Sequence, residues 1–434
     1  MPKKRNYLLQ GARLLDPETG RDEIGSVLVM DGEIAAIGAA PSFPDLPEKL
    51  ITVACGGHCL APGLVDMRVH LREPGAEHRE TMDTAAEAAA AGGVTTMVGL
   101  PDTDPPIDDV ALVEFVARRS REIKKADIRT YAAATRGLAG KEITEMGLLA
   151  EAGALAFTDG GTAIANARVM QRALSYARTF GLLVIQHPEE PSLSSPGGMN
   201  SGEIATRLGL PGINPVAEII MVERDLRLVE ATGGRLHVAH VSTEAAIDAI
   251  RRAKARGLPV TCDTAPPYFA LNETSVGDYR TFAKLSPPLR SEWDRRAVVG
   301  GLKDGTIDVI ASDHSPWDQD SKRLPFTSAA SGIVGLETLL PLSLELYHNG
   351  HLTLLDVLRR LSLGPAAILG LKAGRLAVGA PADLVLFDLD RPRRIAIADF
   401  KSKSKNSPFD GRPVQGFVLK TLYRGRLVFD AASS

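Results

Sequence analysis

The 434-residue sequence predicts an α/β protein, a (β/α)8 TIM barrel with a small β-sandwich domain built from both chain termini. Three observations predict this fold. Apolar strand-like runs recur through the middle of the chain, and most are followed by an amphipathic helical pattern. Both ends of the chain show short alternating runs closed by turn residues instead. No stretch is apolar over the length that a bilayer crossing needs.

The terminal β domain is predicted from the turns between its short runs. Asp31-Gly32 separates two such runs near the start, and this dipeptide is a strong hairpin signal. The runs are 27–30 and 34–37 near the start, and 383–387, 415–419 and 427–429 near the end. We therefore expect residues 1–58 and 375–434 to form one β domain, with 59–374 forming the barrel.

The barrel is predicted from eight strand-like runs that alternate with helical patterns. The predicted strands are 64–70, 94–98, 128–132, 155–157, 183–187, 236–240, 260–262 and 307–312. The predicted helices include 84–91, 167–180, 215–232, 244–256 and 297–304. Eight strands alternating with helices are typical of a closed parallel barrel.

The composition argues against two classes of partner and against a disulfide-bonded protein. Fifty basic and 53 acidic residues give a net charge of −3, so we expect neither nucleic acid nor a membrane surface as partner. The chain has 3 cysteines, an odd and small number that predicts no disulfide framework and a reducing, cytoplasmic setting.

Polar residues gather at the ends of the predicted strands, which is where catalytic side chains lie in such a barrel. They are His70, Asp159, His187, His240 and Asp313. Imidazole and carboxylate groups are the ligands that Zn²⁺ and similar ions bind. A metal-bound water would attack a carbonyl carbon, and a carboxylate beside it would carry the proton.

Several motifs resemble one known family. Residues 66–75, Asp-Met-Arg-Val-His-Leu-Arg-Glu-Pro-Gly, resemble the signature of type I dihydroorotases, which normally reads Asp-x-His-Val-His-Leu-Arg-x-Pro-Gly. Further similar segments are 100–103, 156–161, 239–243, 286–290, 312–316, 332–337 and 402–409. The resemblance covers nearly the whole chain and implies an amidohydrolase barrel of the metal-dependent hydrolase type.

The resemblance also implies a reaction and residue roles. The family closes N-carbamoyl-aspartate reversibly to dihydroorotate in pyrimidine synthesis. The implied metal ligands are His70, Asp159, His187, His240 and Asp313, with Asp159 bridging two metals. Asp313 would also be the general acid and base. Arg72 would bind the substrate carboxylate, and the family's two other substrate-contact positions hold Asp102 and Ser286.

The sequence departs from the family pattern within the site. Arg68 replaces the first His of the His-x-His pair, and a guanidinium cannot ligate a cation. Asp102 and Ser286 each replace an Asn, and Trp317 replaces a His. These changes predict one zinc ion, held by Asp159 and two histidines, rather than two. Alternatively, Arg68 supplies the positive charge itself and pairs with Asp159 or Asp313.

Three functions stay open at this point. The chain is a dihydroorotase-type enzyme acting on a cyclic amide or ureido compound, and a homo-oligomer. Or it is an inactive homologue that serves as a scaffold for aspartate carbamoyltransferase. Or it hydrolyses another cyclic amide, such as a hydantoin. The polar loop 317–331 is a candidate for closing over the site.

Overall fold

The computed structural model describes residues 5–38, 43 and 46–433. Its strands are β1 Asn6–Asp16, β2 Arg21–Met30, β3 Glu33–Gly38, β4 Leu50–Ala54, β5 Cys59–Pro62, β6 Leu64–Val69, β7 Val94–Gly99, β8 Asp127–Thr130, β9 Ala132–Ala133, β10 Phe157–Thr158, β11 Leu183–Gln186, β12 Met199–Asn200, β13 Gly212–Ile213, β14 Arg235–Val238, β15 Val260–Thr264, β16 Val309–Ile310, β17 Leu384–Arg394, β18 Pro413–Tyr423 and β19 Arg426–Asp430.

The α-helices are α1 Met82–Ala91, α2 Val110–Ile123, α3 Met146–Glu151, α4 Ala167–Thr179, α5 Pro191–Ser194, α6 Glu203–Leu208, α7 Val216–Thr232, α8 Glu244–Ala255, α9 Pro266–Ala270, α10 Glu292–Asp304, α11 Gln319–Arg323, α12 Leu339–His348, α13 Leu354–Leu358 and α14 Gly364–Ile368. Short 3-10 segments are Arg136–Leu138, Glu273–Val276, Thr281–Ala283 and Ile397–Asp399, and Arg359–Leu363 is a π-helical turn. In the described part of the chain, no helix is long and apolar enough to cross a bilayer.

The predicted parallel barrel is confirmed. Strands β6, β7 and β8 pair in order, and β9, β10, β11, β14, β15 and β16 form the remaining run. The two runs meet where Val69 pairs with His314 in parallel, and β9 continues β8 after Tyr131. All these pairings are parallel, so the carboxyl ends of the strands share one face, called the mouth below.

One helix begins earlier than predicted. The pattern predicted 297–304, whereas α10 starts at Glu292. Ser291 caps it by accepting the backbone N–H of Asp294 at 3.2 Å. A Ser followed three residues later by a carboxylate is a helix-start signal, and two acidic residues in the first turn favour the helix dipole.

Both termini build one sheet, as predicted. Its order is β19-β18-β17-β5-β1-β2-β3, with β4 beside β1. Strand β5 lies just inside the predicted barrel segment but pairs with β1 and β17 in this sheet. Residues 1–4, 39–42, 44–45 and 434 of the predicted β domain lie outside the described residues. The division at residues 58 and 375 stays a prediction.

A C-terminal segment packs against the barrel and is fixed by two carboxylates, the buried Glu80 and the partly exposed Glu337. Ser402 donates its hydroxyl to Glu80 and its backbone N–H to Glu337, the latter at 3.0 Å. Burial raises the pKa of Glu337 to about 7, although the backbone N–H groups of Ser402 and Lys401 oppose that shift.

We expect Glu337→Gln to remove a pH-dependent loss of stability. Above pH 4.5 the unfolded chain releases the Glu337 proton, but the folded chain keeps it until about pH 7. The folded state then binds more protons, so stability falls as pH rises through this window. Wild type should lose about 2–3 kcal/mol of unfolding free energy across this window, and the variant should not. Urea unfolding at pH 5 and pH 8 measures it, with exposed Glu151→Gln as control. Parallel pH profiles for wild type and Glu337→Gln would mean that Glu337 does not titrate differently in the folded and unfolded chain.

Candidate functional site

The structure brings most of the predicted residues to the mouth. Each lies on or directly after a barrel strand, where the parallel strands end. They are Arg68 in β6, His70 after it, Asp159 after β10, His187 after β11, His240 after β14 and Asp313 after β16. All are buried except His70, which is partly exposed. The mouth is therefore a polar cluster in a dry setting.

An ion pair between Arg68 and Asp313 lies at the centre of the mouth. The Arg68 Nε donates to Asp313 Oδ1 at 2.8 Å, and the two side chains are 3% and 10% exposed. The other carboxylate oxygen lies 3.2 Å from His240 Nδ1. Burial alone would raise the pKa of Asp313, but His240 and Arg68 outweigh burial and hold it well below its usual value. Asp313 is therefore ionised at neutral pH.

His187 and His240 bond to each other. His187 Nδ1 lies 2.7 Å from His240 Nε2, and the rings meet edge to face with centres 4.9 Å apart. One of these two nitrogens must donate and the other accept. Burial, His240 and Arg68 lower the pKa of His187 far below its usual value, so the ring is neutral. Ser286 Oγ lies 3.5 Å from the far nitrogen of His187.

Asp159 does not reach the histidines. Its two oxygens accept the backbone N–H and the hydroxyl of Thr135, at 2.8 and 2.5 Å. No histidine nitrogen among the described residues lies within 4.0 Å of it. The arrangement therefore does not place Asp159 as a bridge between two metals, nor beside Arg68.

A second polar group surrounds Asp102. Its carboxylate lies 2.6 Å from His70 Nδ1 and 3.5 Å from the Arg72 guanidinium. Burial would raise the pKa of Asp102, but His70 and Arg72 hold it below its usual value. Arg72 also donates to the Ser315 hydroxyl at 3.0 Å and to the Pro316 carbonyl at 3.2 Å. The guanidinium is therefore already neutralised and oriented by the protein.

Trp317 stacks against two arginines. The guanidinium carbons of Arg72 and Arg79 lie 4.6 and 4.2 Å from its ring centre. Within the described chain its buried indole Nε1 has no hydrogen-bond partner. The residue that replaces the family's His therefore acts as a platform for cations, and it contacts the Arg72 guanidinium that also pairs with Asp102.

The loop 317–331 is fastened by two buried lysines. Lys322 donates to two backbone carbonyls at the end of the loop, at 2.7 and 3.1 Å. Lys284 donates to two carbonyls within it, at 2.8 and 2.7 Å. Asp318 caps the short helix α11 inside the loop. These bonds fix the loop as an ordered segment.

The predicted metal ligands do not fit a metal centre in this arrangement. Among the described residues, no three His, Cys, Asp or Glu side chains are placed so that they could hold an ion. Both ring nitrogens of His240 already face Asp313 and His187. The positively charged guanidinium of Arg68 already pairs with the Asp313 carboxylate, which a metal ion would need as a ligand.

Sequence reasoning missed the residues that support the site. Asp263 in β15 accepts the backbone N–H of His240 at 2.7 Å, and its other oxygen contacts His237 Nε2 at 2.9 Å. His237 and His240 are thus bonded to the same carboxylate. The available signal for Asp263 was its position directly after the predicted strand 260–262. Thr135 gave no such signal.

Comparison with known proteins identifies relatives over nearly the full chain. A family model described as dihydro-orotase-like matches residues 57–246, and an amidohydrolase family model matches 221–429. The dihydroorotase of Anaplasma phagocytophilum is 47% identical, covering 97% of this chain and 94% of its own. That of Pelobacter propionicus is 45% identical, covering 98% and 99%. An L-hydantoinase structure from Arthrobacter aurescens superposes with a TM-score of 0.86 at 26% identity, covering 98% of this chain and 96% of its own.

Proposed function

Because the chain belongs to the dihydroorotase family of the amidohydrolases, we propose that it hydrolyses dihydroorotate reversibly in pyrimidine biosynthesis. Hydrolysis adds water across a ring C–N bond and gives N-carbamoyl-aspartate, and the reverse reaction closes the ring and releases water. The observation that carries the proposal is Asp313, an ionised carboxylate buried at the mouth between a guanidinium and an imidazole.

Asp313 is the proposed catalytic residue. Its carboxylate takes a proton from the attacking water and returns it to the leaving ring nitrogen. Arg68, which is fully charged, offers its remaining N–H groups to the carbonyl oxygen as negative charge develops there. His240 keeps the Asp313 carboxylate in place, and the neutral His187 supports His240.

The proposed substrate-binding residues are Arg72, Asp102 and Ser286. Arg72 is the natural bidentate partner for the substrate carboxylate. Asp102 already lies 3.5 Å from that guanidinium, so it competes with the substrate carboxylate for the same charge. Ser286 faces His187 and offers a hydroxyl to the polar atoms of the ring.

Zinc is the ion that the ligand types favour, and members of the amidohydrolase family are typically metal-dependent. A zinc ion on His187 and His240 would require these rings to release each other. A zinc ion bound to Asp313 would compete with Arg68 for the carboxylate. Elemental analysis of protein purified without chelators tests whether zinc is present.

The proposed function is tested by a hydrolysis assay on dihydroorotate. Wild-type protein should open the ring, whereas Asp313→Asn protein purified in the same way controls for a contaminating host enzyme. Hydantoin serves as a second substrate in the same assay. Turnover of hydantoin with none of dihydroorotate would replace the proposed substrate, and turnover of neither would remove the proposed activity.

A scaffold for aspartate carbamoyltransferase is the second candidate function. The observation that favours it is the ion pair that occupies Asp313. Size-exclusion chromatography of a mixture with that enzyme tests it, and co-elution without dihydroorotate turnover would favour the scaffold. The same column shows whether the chain is a homo-oligomer, as we propose. We also propose a cytoplasmic location, supported by three free, buried cysteines.

A further inference from the structure

We propose that a cavity at the end of the barrel opposite the mouth binds a phosphate-bearing small molecule. The cavity has a volume of about 550 Å³ and lies between the end of α2, the start of β8 and the β18–β19 turn. Five basic side chains line it: Arg121, Lys124, Arg129, Arg424 and Arg426. Asp127 is the one carboxylate in its lining among the described residues.

Most of this positive charge has no partner. Arg129 pairs with Asp127 at 3.0 Å. Around the other four basic groups, no carboxylate oxygen in the described chain lies within 4.0 Å. Asp383, behind the β18–β19 turn, accepts the backbone N–H of Arg424 at 2.6 Å. Even with both carboxylates ionised, positive charge exceeds negative charge here, in a chain whose net charge is −3. A concave surface of one sign concentrates oppositely charged ligands.

Tyr423 adds a neutral hydrogen-bond donor to the same wall. The residue is 5% exposed and lines the cavity. Burial and the nearby Asp127 raise the pKa of Tyr423 to about 12, so the hydroxyl keeps its proton at neutral pH.

The donor set selects the chemical class of the ligand. Guanidinium groups bind phosphate oxygens in pairs, and a lysine adds a point charge. The volume lies within the range of sites for small molecules, so it accommodates a pyrophosphate or the phosphates of a nucleotide. A nucleotide would gain further contact if its base also fitted, whereas free pyrophosphate would bind through charge alone.

The cavity is separate from the mouth and independent of the proposed reaction. Helix α2 ends at Ile123 and β8 begins at Asp127, which places the cavity at the amino-terminal ends of the strands. Its lining comes from both the barrel and the terminal sheet. A bound anion would therefore connect these two parts and raise the unfolding temperature.

Calorimetric titration with pyrophosphate and with ADP tests the proposal on the full chain. Wild type should bind at least one of them, with a matching rise in unfolding temperature. Arg424→Asn with Arg426→Gln should weaken binding about tenfold or more. Asparagine is chosen because Arg424 has a φ of 46°, which asparagine tolerates. Arg121→Gln, on the helical wall, should weaken binding without touching the turn. The control is Arg168→Gln with Arg207→Gln, two exposed arginines elsewhere.

Each result of the titrations either supports or overturns the proposed phosphate site. Tighter binding of ADP than of pyrophosphate would identify a nucleotide site, and the reverse would identify a pyrophosphate site. Equal binding by the cavity variants and the control variant would overturn the proposal. Absence of binding to wild type, or binding only to a long polyanion such as heparin, would overturn it as well. None of these results depends on dihydroorotate turnover.

Discussion

Asp313→Asn is expected to abolish dihydroorotate hydrolysis and to destabilise the fold. The amide cannot accept the proton that the carboxylate takes from water, so kcat should fall by about 10³-fold or more. The change also leaves the buried Arg68 guanidinium without its anion, which costs about 3–5 kcal/mol. Initial rates with dihydroorotate and urea unfolding at neutral pH measure the two effects separately.

A double variant separates catalysis from stability. Arg68→Met combined with Asp313→Asn removes both charges, so it should recover much of the stability that either single change loses. It should not recover turnover. Asp225→Asn is the control, because Asp225 is also buried and pairs with Arg224 at 2.7 Å, and neither residue belongs to the proposed site. That variant should lose stability and keep its turnover. If Asp313→Asn kept wild-type turnover, the assigned role of Asp313 would be wrong.

The barrel was predictable because its signal is local. Apolar runs such as Val94–Gly99 and Leu183–Gln186 are buried along their whole length, and the adjacent helices carry an apolar stripe. Once the strands were assigned, parallel pairing alone brought their ends to one face. That is why His187, His240 and Asp313 could be placed together from the sequence.

The side-chain partners at the mouth were not predictable, because they join residues far apart in the chain. The sequence left Arg68 to pair with either Asp159 or Asp313, and only the three-dimensional arrangement selects Asp313. Thr135 donates hydrogen bonds to both oxygens of Asp159. The two residues lie 24 positions apart, and neither residue type predicts the contact. Strand assignments fix where a side chain starts, whereas its torsions and neighbours decide what it contacts.

The contacts of Trp317 could not be predicted from the sequence for the same reason. Residue chemistry shows that an indole cannot accept a hydrogen bond, so the sequence indicated a lost function. The structure shows a gained one, because the ring contacts the guanidinium groups of both Arg72 and Arg79. This stacking requires two distant segments of the chain to approach each other. Comparing the sequence with the family pattern at position 317 alone therefore cannot predict it.

Arg68→His is expected to create zinc binding that the wild-type arrangement opposes. The change removes the guanidinium from Asp313 and places a neutral imidazole two residues before His70, so the pair can act as ligands. The freed carboxylate of Asp313 then becomes available to the ion. We expect about one zinc per chain after incubation with zinc and dialysis, with less in wild type.

Elemental analysis and unfolding temperature with and without zinc measure this gain, and neither readout requires turnover. Arg68→Gln is the matched control, because it removes the same charge without supplying an imidazole. It should bind no more zinc than wild type, since a side-chain amide is a poor zinc ligand. Stoichiometric zinc in wild type would mean that the ion displaces Arg68 from Asp313 and that the guanidinium does not oppose the metal. Equal zinc in the His and Gln variants would mean that charge alone, and not the missing imidazole, sets metal binding at the mouth.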